Sequence, residues 1–431
     1  MADEPDFDVI VVGAGLAGGV TAYRLAQAGL SVALLERGES AGSKNLSGGV
    51  FYCRAMEQIF PDFLSQAPVE RRIDRNQVCF LNGDSWVAVD YADQRLNQAG
   101  TAVTVLRAKL DAWLAERCEE AGVMVMPGIR VDQLWLEEGR AVGVKAGDDE
   151  LRSRVVVAAD GVNSFLTRQA GWRPTPSTDQ LAVGVKAVVA LPESEIETRF
   201  GLSGDSGQAF ALVGDCSEGI GGGGFLYTNR QSLSVGLVLR LDDLVRRGQR
   251  TIDVFERFLA HPFLERYLGD GQIVEYGCHL VNEGGLAMRG QLVHDGLVVV
   301  GDAAGLTINT GLTVRGMDLA VGSAVAASDA VAAAIAAGDV SRAGLAGYDA
   351  RLEASYVGQD MKTYARAPHF LETPELYGAV GQLLADVLFN VFHLDTSPRR
   401  HLLPTARQVL KVSPLSLGQL ARTGLKGVRA L

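Results

Sequence analysis

The chain has 431 residues, 47% of them hydrophobic, which is enough for more than one packed domain. Acidic residues outnumber basic ones, 51 to 40, and no segment combines aromatic with basic side chains, so nucleic acid is not an expected partner. The five cysteines and six histidines are dispersed without metal-ligand or catalytic-triad spacing. We therefore predict no intrinsic metal or iron–sulfur site and no nucleophilic hydrolase.

The first predicted unit is a strand, a glycine turn, a helix and a second strand. An apolar strand begins at Asp8, the turn Gly-Ala-Gly-Leu-Ala-Gly occupies residues 13–18, and Glu36 follows the next apolar run. In a dinucleotide fingerprint the first glycine permits the turn, the second lets a pyrophosphate approach the backbone, and the third lets the helix lie close to the sheet. A carboxylate at the position of Glu36 accepts hydrogen bonds from ribose hydroxyls. The unit predicts a nucleotide site at the helix N-terminus.

Two further strand-to-turn junctions follow in the order that FAD enzymes use. One apolar strand ends in Asp160 and Gly161, and a later one ends in Gly301 and Asp302. Both junctions resemble flavoprotein motifs, and the three pieces together favour FAD over NAD; the alternative is three unrelated junctions in an ordinary α/β protein. No second Gly-x-Gly-x-x-Gly follows a strand, so we predict no separate fold for NAD(P)H.

The predicted elements between these motifs define the domains. A helix over 108–121 and strands over 123–126 and 140–145 continue the nucleotide-binding pattern, whereas strands over 181–191, 224–228 and 233–239, with a turn at 229–232, form a strand-rich segment. We predict an α/β protein with a discontinuous, Rossmann-like FAD-binding domain at 1–100, 101–180 and 280–340. An inserted α+β domain built on a β-sheet is expected at 181–279, and a helical region at 341–431.

The C-terminal region is predicted to be helical, and it bears on location. Residues 319–337 form an alanine-rich helix that suits a buried core better than a bilayer. Apolar residues over 376–392 recur at helical spacing, and residues 398–431 carry seven basic and no acidic side chains. That tail would attract anionic lipid or an acidic ferredoxin, whereas the stripe equally suits packing on the core. Because residues 1–6 lack signal-peptide features, we expect a cytoplasmic protein, peripheral on the inner face of the cell membrane.

Three longer motifs carry a family resemblance. Residues 44–49 (Lys-Asn-Leu-Ser-Gly-Gly), 275–280 (Glu-Tyr-Gly-Cys-His-Leu) and 301–320, with Val-Arg-Gly-Met-Asp at 314–318, resemble the FixC branch of the electron transfer flavoprotein–quinone oxidoreductases. The resemblance covers nearly the whole chain and implies an FAD-binding fold of the glutathione reductase and p-hydroxybenzoate hydroxylase type. It implies that FAD is bound by Gly13, Gly15, Leu16, Ala17, Gly18, Glu36, Arg37, Lys44, Ser47, Gly48, Gly49, Arg107, Val131, Asp160, Gly161, Gly301, Asp302, Gly311, Gly316 and Met317.

Within that set, the resemblance places two groups beside the flavin ring, residues 47–49 and Gly316 with Met317. Gly316 and Met317 begin a long helix, whose N-terminus would favour negative charge on a reduced flavin. Lys44 and Arg315 would add positive charge there, or would instead be solvated or paired to a neighbouring subunit. Arg107 would lie near the cofactor or remain a solvated residue at a helix start.

The resemblance also implies an activity and partners. FAD would take electrons from an electron transfer flavoprotein with FixA- and FixB-like subunits and relay them to a quinone, in some relatives within a bifurcating complex. Because no cysteine follows Cys278, the iron–sulfur cluster of fused relatives would come from a separate ferredoxin-like subunit, FixX. The cofactor performs the chemistry, so no catalytic side chain is predicted. The alternatives are a geranylgeranyl-reductase-like enzyme, an aromatic hydroxylase and an assembly subunit with a structural FAD.

Overall fold

A computed structural model describes residues 4–45, 49–100 and 102–431. Its strands are β1 (Phe7–Val12), β2 (Val32–Glu36), β3 (Gly49–Tyr52), β4 (Val69–Asn82), β5 (Ser85–Ala92), β6 (Ala102–Val105), β7 (Met124–Pro127), β8 (Gln133–Glu137), β9 (Arg140–Ala146), β10 (Asp149–Ala158), β11 (Leu181–Ala190), β12 (Ser206–Gly214), β13 (Gly222–Thr228), β14 (Ser232–Arg240), β15 (Gln272–Asn282), β16 (Val293–His294), β17 (Leu297–Val299), β18 (Ile308–Asn309) and β19 (Val314–Arg315).

The helices alternate with these strands and then dominate the C-terminal region. They are α1 (Leu16–Gln27), α2 (Arg54–Glu57), α3 (Phe63–Gln66), α4 (Gln94–Ala99), α5 (Arg107–Glu120), α6 (Phe165–Gln169), α7 (Glu193–Phe200), α8 (Leu241–Arg247), α9 (Thr251–Leu259), α10 (Pro262–Leu268), α11 (Met317–Ala337), α12 (Arg342–Leu345), α13 (Gly347–Ala354), α14 (Tyr356–Thr363), α15 (Ala367–Leu371), α16 (Ala379–Phe392), α17 (Leu402–Val412) and α18 (Leu417–Ala430).

The first sheet contains the nucleotide-binding pattern. Its strands run in the order β16-β17-β10-β1-β2-β7, and the β8–β9 hairpin joins it through β9 and β10. β1 pairs in parallel with β2 and β10, β10 with β17, and β2 with β7. Strands such as β1 and β2 are apolar and buried at nearly every position, and α1 packs against both. The sheet is the α/β layer that the sequence predicts.

The second sheet lies beside the first and is largely antiparallel. Its order is β15-β11-β14-β13-β12-β4-β6-β3, with β5 attached to β4. The predicted turn over 229–232 joins the antiparallel strands β13 and β14. The predicted boundary near residue 100 differs from this topology: β3 to β6 pair in the second sheet, because β4 runs parallel to β12 over Arg72 to Leu81. The second layer therefore draws on residues before 101 as well as on 181–282.

The longest helix is α11, and it is a core helix. It is long and apolar enough to span a bilayer, but most of its residues are buried within the protein. It packs against α1, α12, α13 and α14. Further along the chain, α16 to α18 bury few side chains completely. The apolar stripe over 376–392 is mostly half-buried, and α16 packs against β4, β5 and β12. Tertiary packing therefore makes one apolar helix a buried core helix and leaves the other half-buried at the surface.

Candidate functional site

A cavity lies where strands of the first sheet end. Its volume is about 550 Å³, within the range of ligand pockets. β1, β2, β10 and β17 are parallel and adjacent, so their carboxyl ends meet at one edge, which is where open α/β sheets bind ligands. The second sheet and the segment from Asp302 to Met317 form the other walls. Of the residues predicted to bind a cofactor, those that line this cavity are Gly13, Gly15, Leu16, Ala17, Glu36, Arg37, Lys44, Gly49, Arg107, Val131, Asp160, Gly161, Asp302, Gly316 and Met317.

The glycine turn brings the backbone of the first unit to the cavity. Gly13 has a positive φ of 104°, and a Cβ there would lie 2.4 Å from the carbonyl oxygen of Ala159. A Cβ at Gly18 would lie 1.8 Å from the carbonyl oxygen of Gly13, so this glycine allows helix and strand to touch. Gly15 precedes α1 and provides no side-chain cap, which leaves backbone N–H groups of the first turn facing the cavity. The turn has the form of an anion-binding helix start.

Glu36 is held at the end of β2 by two backbone donors. Its Oε2 accepts a hydrogen bond from the N–H of Ala14 at 3.0 Å, and its Oε1 accepts one from the N–H of Gly38 at 2.7 Å. Arg37 and Val131 line the same end of the cavity. The carboxylate is thereby fixed at the end of β2, the strand next to β1 and its glycine turn, and it lines the same cavity.

Arg107 forms the wall opposite the glycine turn. Its Nε and Nη2 donate to the two carboxylate oxygens of Asp111 at 2.8 Å each, and Asp111 is fully buried. Asn45 Nδ2 also donates to Asp111. This bidentate pair fixes the guanidinium direction, and a Cβ on Gly15 would come within 3.3 Å of Arg107 Nη2. Arg107 therefore adjoins the cavity and is not a freely solvated side chain.

Two aspartates project from the strand ends. Asp160 Oδ2 accepts from the N–H of Leu166 at 3.0 Å, whereas its buried Oδ1 has no hydrogen-bond partner among the described residues. Burial raises the pKa of Asp160 and of Asp302, while the Arg107 charge acts to lower the pKa of Asp302. Asn282 donates to the backbone carbonyl of Asp302 at 2.9 Å, and its own Oδ1 also lacks a partner in the described part of the chain. Both unpartnered oxygens belong to residues of the cavity wall.

The start of α11 forms the end of the cavity nearest the second sheet. Gly316 and Met317 line it, and a Cβ on Gly49 would lie 3.3 Å from Met317 Cε. Arg315 is paired with Asp318 at 2.5 Å and with Asp360 at 2.6 Å, so its charge is compensated within the chain. Lys44 is exposed and lines the cavity. Of these two cations, Lys44 has the freer access to a ligand.

Three of the predicted residues, Gly18, Gly301 and Gly311, do not line this cavity. Gly18 lets the helix α1 pack against the strand β1. Gly301 has a positive φ of 61°, and a Cβ on Gly301 would lie 2.8 Å from Ala17 Cβ. Gly311 lines a second cavity instead. Ser47 and Gly48 lie outside the described residues. Gly18 and Gly301 therefore act on the shape of the cavity through close packing.

A second cavity of about 560 Å³ adjoins the first. It lies between one face of the second sheet and the segments 309–314 and 365–377, and it reaches Leu431 next to α18. The two cavities share the wall residues Val50, Phe225, Tyr227, Val238, Glu283, Asn309 and Val314. Sequence reasoning did not select these residues. The alternation of Phe225 and Tyr227 along β13 was the available signal, because residues two apart share a face of a strand.

Comparison with known proteins bears on the whole chain. "Probable electron transfer flavoprotein-quinone oxidoreductase YdiS" of Escherichia coli (strain K12) is 43% identical over 433 residues and covers 100% of both chains. "Protein FixC" of the same strain is 40% identical and covers 99% of this chain and 100% of that protein. Residues 6–207 match the family model described as "FAD binding domain".

Solved structures match the fold at much lower identity. A geranylgeranyl bacteriochlorophyll reductase-like protein from Thermoplasma acidophilum superposes with a TM-score of 0.68 at 18% identity, covering 97% of this chain and 99% of that one. The flavin-dependent brominase Bmp2 gives a TM-score of 0.62 at 16% identity, covering 94% and 98%. These likenesses confirm the predicted fold class, an FAD-binding α/β domain with an added sheet and a helical C-terminal region.

The residues present fit FAD. The cavity offers an open helix start for a pyrophosphate, a carboxylate at a strand end for ribose, and unpartnered buried oxygens on Asp160 and Asn282 that can accept hydrogen bonds from a ligand. Gly13 and Gly15 leave space that any side chain would occupy.

Proposed function

Because this chain belongs to the FixC family of electron transfer flavoprotein–quinone oxidoreductases, we propose that it passes electrons through FAD from an electron transfer flavoprotein to a quinone. The observation that carries the proposal is identity of 43% over the full length with a relative of that name. The second cavity supports it independently, because an acceptor bound there would share a wall with the cofactor cavity.

The chain's own residues would bind and orient the cofactor, which supplies the electron-transfer chemistry when bound. The N-terminus of α1 and the turn at Gly13 and Gly15 would hold the pyrophosphate, and Glu36 the ribose. Arg107 and Asp302 would flank the middle of the cofactor. Gly49, Gly316 and Met317 would lie beside the ring, where the start of α11 favours negative charge.

The second cavity would receive the quinone. Its walls combine apolar side chains of the second sheet, such as Val78 and Phe225, with a few polar groups, which suits a ring with two carbonyl oxygens and an apolar tail. Leu431 lines it next to α18, so the cavity extends towards the exposed apolar helices of the C-terminal region.

Those helices are proposed to dock on anionic lipid at the inner face of the membrane. Val412 is 85% exposed and Val428 83% exposed, and both lie on helices that also carry Arg and Lys. Exposed apolar groups with interleaved basic ones bind the interface of anionic bilayers. The location matches the quinone proposal, because a lipid-soluble acceptor would enter from that side.

Point variants test lipid docking without disturbing the second cavity. Replacing Val412 and Val428 together by Ser should release the protein from vesicles of anionic phospholipid in co-sedimentation. A matched control replaces the equally solvent-facing Val245 and Val274, which are 69% and 63% exposed elsewhere on the chain, by Ser. Equal retention of both double variants on the vesicles would contradict lipid docking, and binding instead to an acidic ferredoxin would assign the tail to that partner.

Electrons and an iron–sulfur cluster would come from separate subunits. We propose FixA- and FixB-like subunits as the electron transfer flavoprotein and a ferredoxin-like FixX subunit as the carrier of the cluster. In the described part of the chain, Cys53, Cys79, Cys118 and Cys216 are buried and Cys278 is exposed. Burial raises the pKa of the four buried thiols to about 12, which suits apolar packing.

Anaerobic mixing tests the activity. The FAD-loaded protein is mixed with an electron transfer flavoprotein and its donor, the flavin absorbance is followed, and a soluble quinone is added. Bleaching followed by quinone-driven recovery supports the proposal. A flavin that ignores the partner, but is reduced by NAD(P)H and reoxidised by a prenyl substrate, would indicate an enzyme of the geranylgeranyl reductase type. Oxygen consumption with NADPH would indicate a hydroxylase.

A further inference from the structure

Glu283 lies at the boundary between the two cavities. It directly follows β15, and its backbone N–H donates to the carbonyl oxygen of Gln180 at 2.9 Å. Its carboxylate accepts hydrogen bonds from one amide, with Asn309 Nδ2 3.2 Å from Oε1 and 3.1 Å from Oε2. Glu283 and Asn309 each line both cavities. The carboxyl group is therefore fixed where the ligands of the two cavities would meet.

The surroundings make this carboxyl group titrate near neutral pH. Burial raises the pKa of Glu283 to about 7, against the hydrogen bond from Asn309 and the positive charge of Arg240. Arg240 also pairs with Asp242 at 3.1 Å and with Glu372 at 3.6 Å, so its charge is shared. At pH 7 the side chain is consequently present in both protonation states, as a general acid requires.

Other titratable groups around the second cavity differ from Glu283. Burial raises the pKa of Tyr377 to about 12, and the Glu283 charge acts in the same direction, so this phenol stays protonated. His369 and Glu372 are exposed and paired with each other at 3.0 Å. Asp179 is exposed on the cavity wall. None of these four is part of the shared wall among the described residues, whereas Tyr227 is. Burial raises the pKa of Tyr227, so this phenol is a weaker acid than Glu283.

Reduction of a quinone to a quinol takes two electrons and two protons. Within the proposed function, the electrons would come from the bound cofactor, and a quinone oxygen inside the protein needs a proton donor within hydrogen-bond reach. We propose that Glu283 is a catalytic acid that protonates a carbonyl oxygen of an acceptor quinone in the second cavity. This inference rests on the proposed function.

The solvent supplies the protons that this step consumes. The carboxyl O–H bond of Glu283 breaks as the O–H bond of the reduced quinone forms, and the resulting carboxylate keeps its hydrogen bonds from Asn309. A solvent proton, carried by water in the second cavity, returns to the carboxylate. The other carbonyl oxygen takes its proton directly from water, so both protons of the quinol come from solvent, and both electrons would come from the reduced cofactor.

The test compares acceptors that need protons with one that does not. The FAD-loaded Glu283→Gln variant is reduced anaerobically and mixed with a soluble quinone or with ferricenium, which takes an electron and no proton. We expect quinone-driven reoxidation of the flavin to slow about 100-fold at pH 7 and to lose its pH dependence, because general acids contribute roughly 10²–10⁴-fold. Ferricenium-driven reoxidation should stay within about twofold of wild type. Glu283→Asp should recover part of the quinone rate and a pH-dependent profile.

A spectroscopic measurement does not depend on turnover. Infrared difference spectra of wild-type protein between pH 6 and pH 8 should contain a carboxyl C=O band that the Glu283→Gln variant lacks. Glu265→Gln, the same change at an exposed site on α10, serves as the matched control and should keep the band. A wild-type spectrum without such a titrating band would overturn the inference even if the variant failed to fold.

Different results would contradict the proposed electron transfer to quinone and the proposed role of Glu283. If wild-type flavin is not reoxidised by quinone at all, the proposed function is wrong. If wild type reacts and Glu283→Gln reacts equally fast with an unchanged pH profile, the function stands and the role of Glu283 is wrong. Equal slowing with quinone and ferricenium would assign Glu283 a structural role only.

Discussion

Single glycines set how closely a phosphate can approach the backbone of the first unit. Gly13 adopts a positive φ and touches Ala159, so it serves the turn itself. Gly15 has ordinary backbone angles. A Cβ on Gly15 would point into the cavity and lie 3.3 Å from Arg107 Nη2. Contact with the backbone therefore explains Gly13, whereas for Gly15 we predict that the space is needed by the bound cofactor.

Gly15→Ala should lower FAD affinity about tenfold or more, which corresponds to about 1.4 kcal/mol. The added methyl group would occupy space next to Arg107 Nη2 where the pyrophosphate is expected. Titration of the cofactor-free protein with FAD, followed by flavin fluorescence, measures the effect. Gly83→Ala, at a glycine with open space around it, is the control. Equal affinity in both variants would contradict the assigned role of Gly15.

Lys186 is an unusual charge in the second sheet. It lies on β11, is 2% exposed, and its Nζ has no hydrogen-bond partner among the described residues. Burial lowers the pKa of Lys186 to about 7; the Glu275 charge opposes this shift and the Arg107 charge adds to it. The folded protein therefore binds this proton more weakly than the unfolded chain does. This difference lowers the free energy of unfolding at every pH at which the unfolded chain is protonated at Lys186.

Lys186→Met should stabilise the protein, and most at low pH. The folded pKa lies below the unfolded value of 10.5, so the full cost is present below about pH 7 and declines by about 1.4 kcal/mol per pH unit as pH rises towards 10.5. We expect a higher thermal midpoint for the variant at pH 6 and a smaller difference at pH 9, measured by circular dichroism. Lys411→Met, at an exposed position, should show neither effect. A gain that grows with pH would contradict this account.

Among the elements, α11 makes a close helix contact near the site. Its N-terminus lines the cofactor cavity, and its second turn contacts α14. A Cβ on Gly322 would lie 2.5 Å from Val357 Cγ2 and 2.6 Å from the hydroxyl of Tyr356. That hydroxyl donates to the backbone carbonyl of Asp318 at 2.5 Å, in the first turn of α11. The contact between the two helices thus helps to hold the helix start at the cavity.

Gly322→Ala should destabilise the protein by about 1–3 kcal/mol, because overpacking outweighs the gain in helix propensity. Gly424→Ala, in α18 with no atom near the new methyl group, should be neutral or should stabilise by up to about 1 kcal/mol. Urea unfolding of the two FAD-loaded variants compares them directly. An increase in the free energy of unfolding for both variants would contradict this account, because it would mean that α11 and α14 can move apart to make room for the methyl group.

At the scale of the whole molecule, the two sheets share one binding cavity. The first sheet provides the glycine turn and strand ends, and the second provides Phe225, Tyr227, Val238 and His279. A ligand in this cavity contacts both layers, so its binding free energy adds to the stability of both.

FAD at 100 times its Kd should therefore add about 2.7 kcal/mol to the stability of both layers. Single-tryptophan variants report each layer separately, with Trp86 on β5 in the second sheet and Trp135 on β8 joined to the first. Thermal unfolding of both reporters should move to higher temperature with added FAD. A shift at Trp135 with none at Trp86 would indicate that the second sheet unfolds independently of the cofactor cavity.

Sequence reasoning succeeded where function depends on local backbone geometry. The glycine turn with Glu36, and the strand-end aspartates Asp160 and Asp302, were selected from short motifs, and the structure brings them to one cavity. A turn, a helix start and a strand end are each specified within a few residues, so they can be recognised before the fold is known. The role of these residues in binding FAD stays a prediction until affinity is measured.

Contacts between distant strands were decided by the tertiary structure alone. β4 pairs with β12 across more than a hundred residues, which places β3 to β6 (residues 49–105) in the second sheet, and no local pattern encodes that choice of partner. Pairing of β15 with β11 likewise positions Glu283, which meets Asn309 of β18 at the boundary of the two cavities. The sequence by itself thus determined the family, the cofactor class and the nucleotide-binding turn, because local sterics and resemblance suffice for these. Only tertiary structure decided which carboxyl group lies at the boundary of the two cavities and which apolar helix is buried in the core, because burial depends on the elements that pack around each residue.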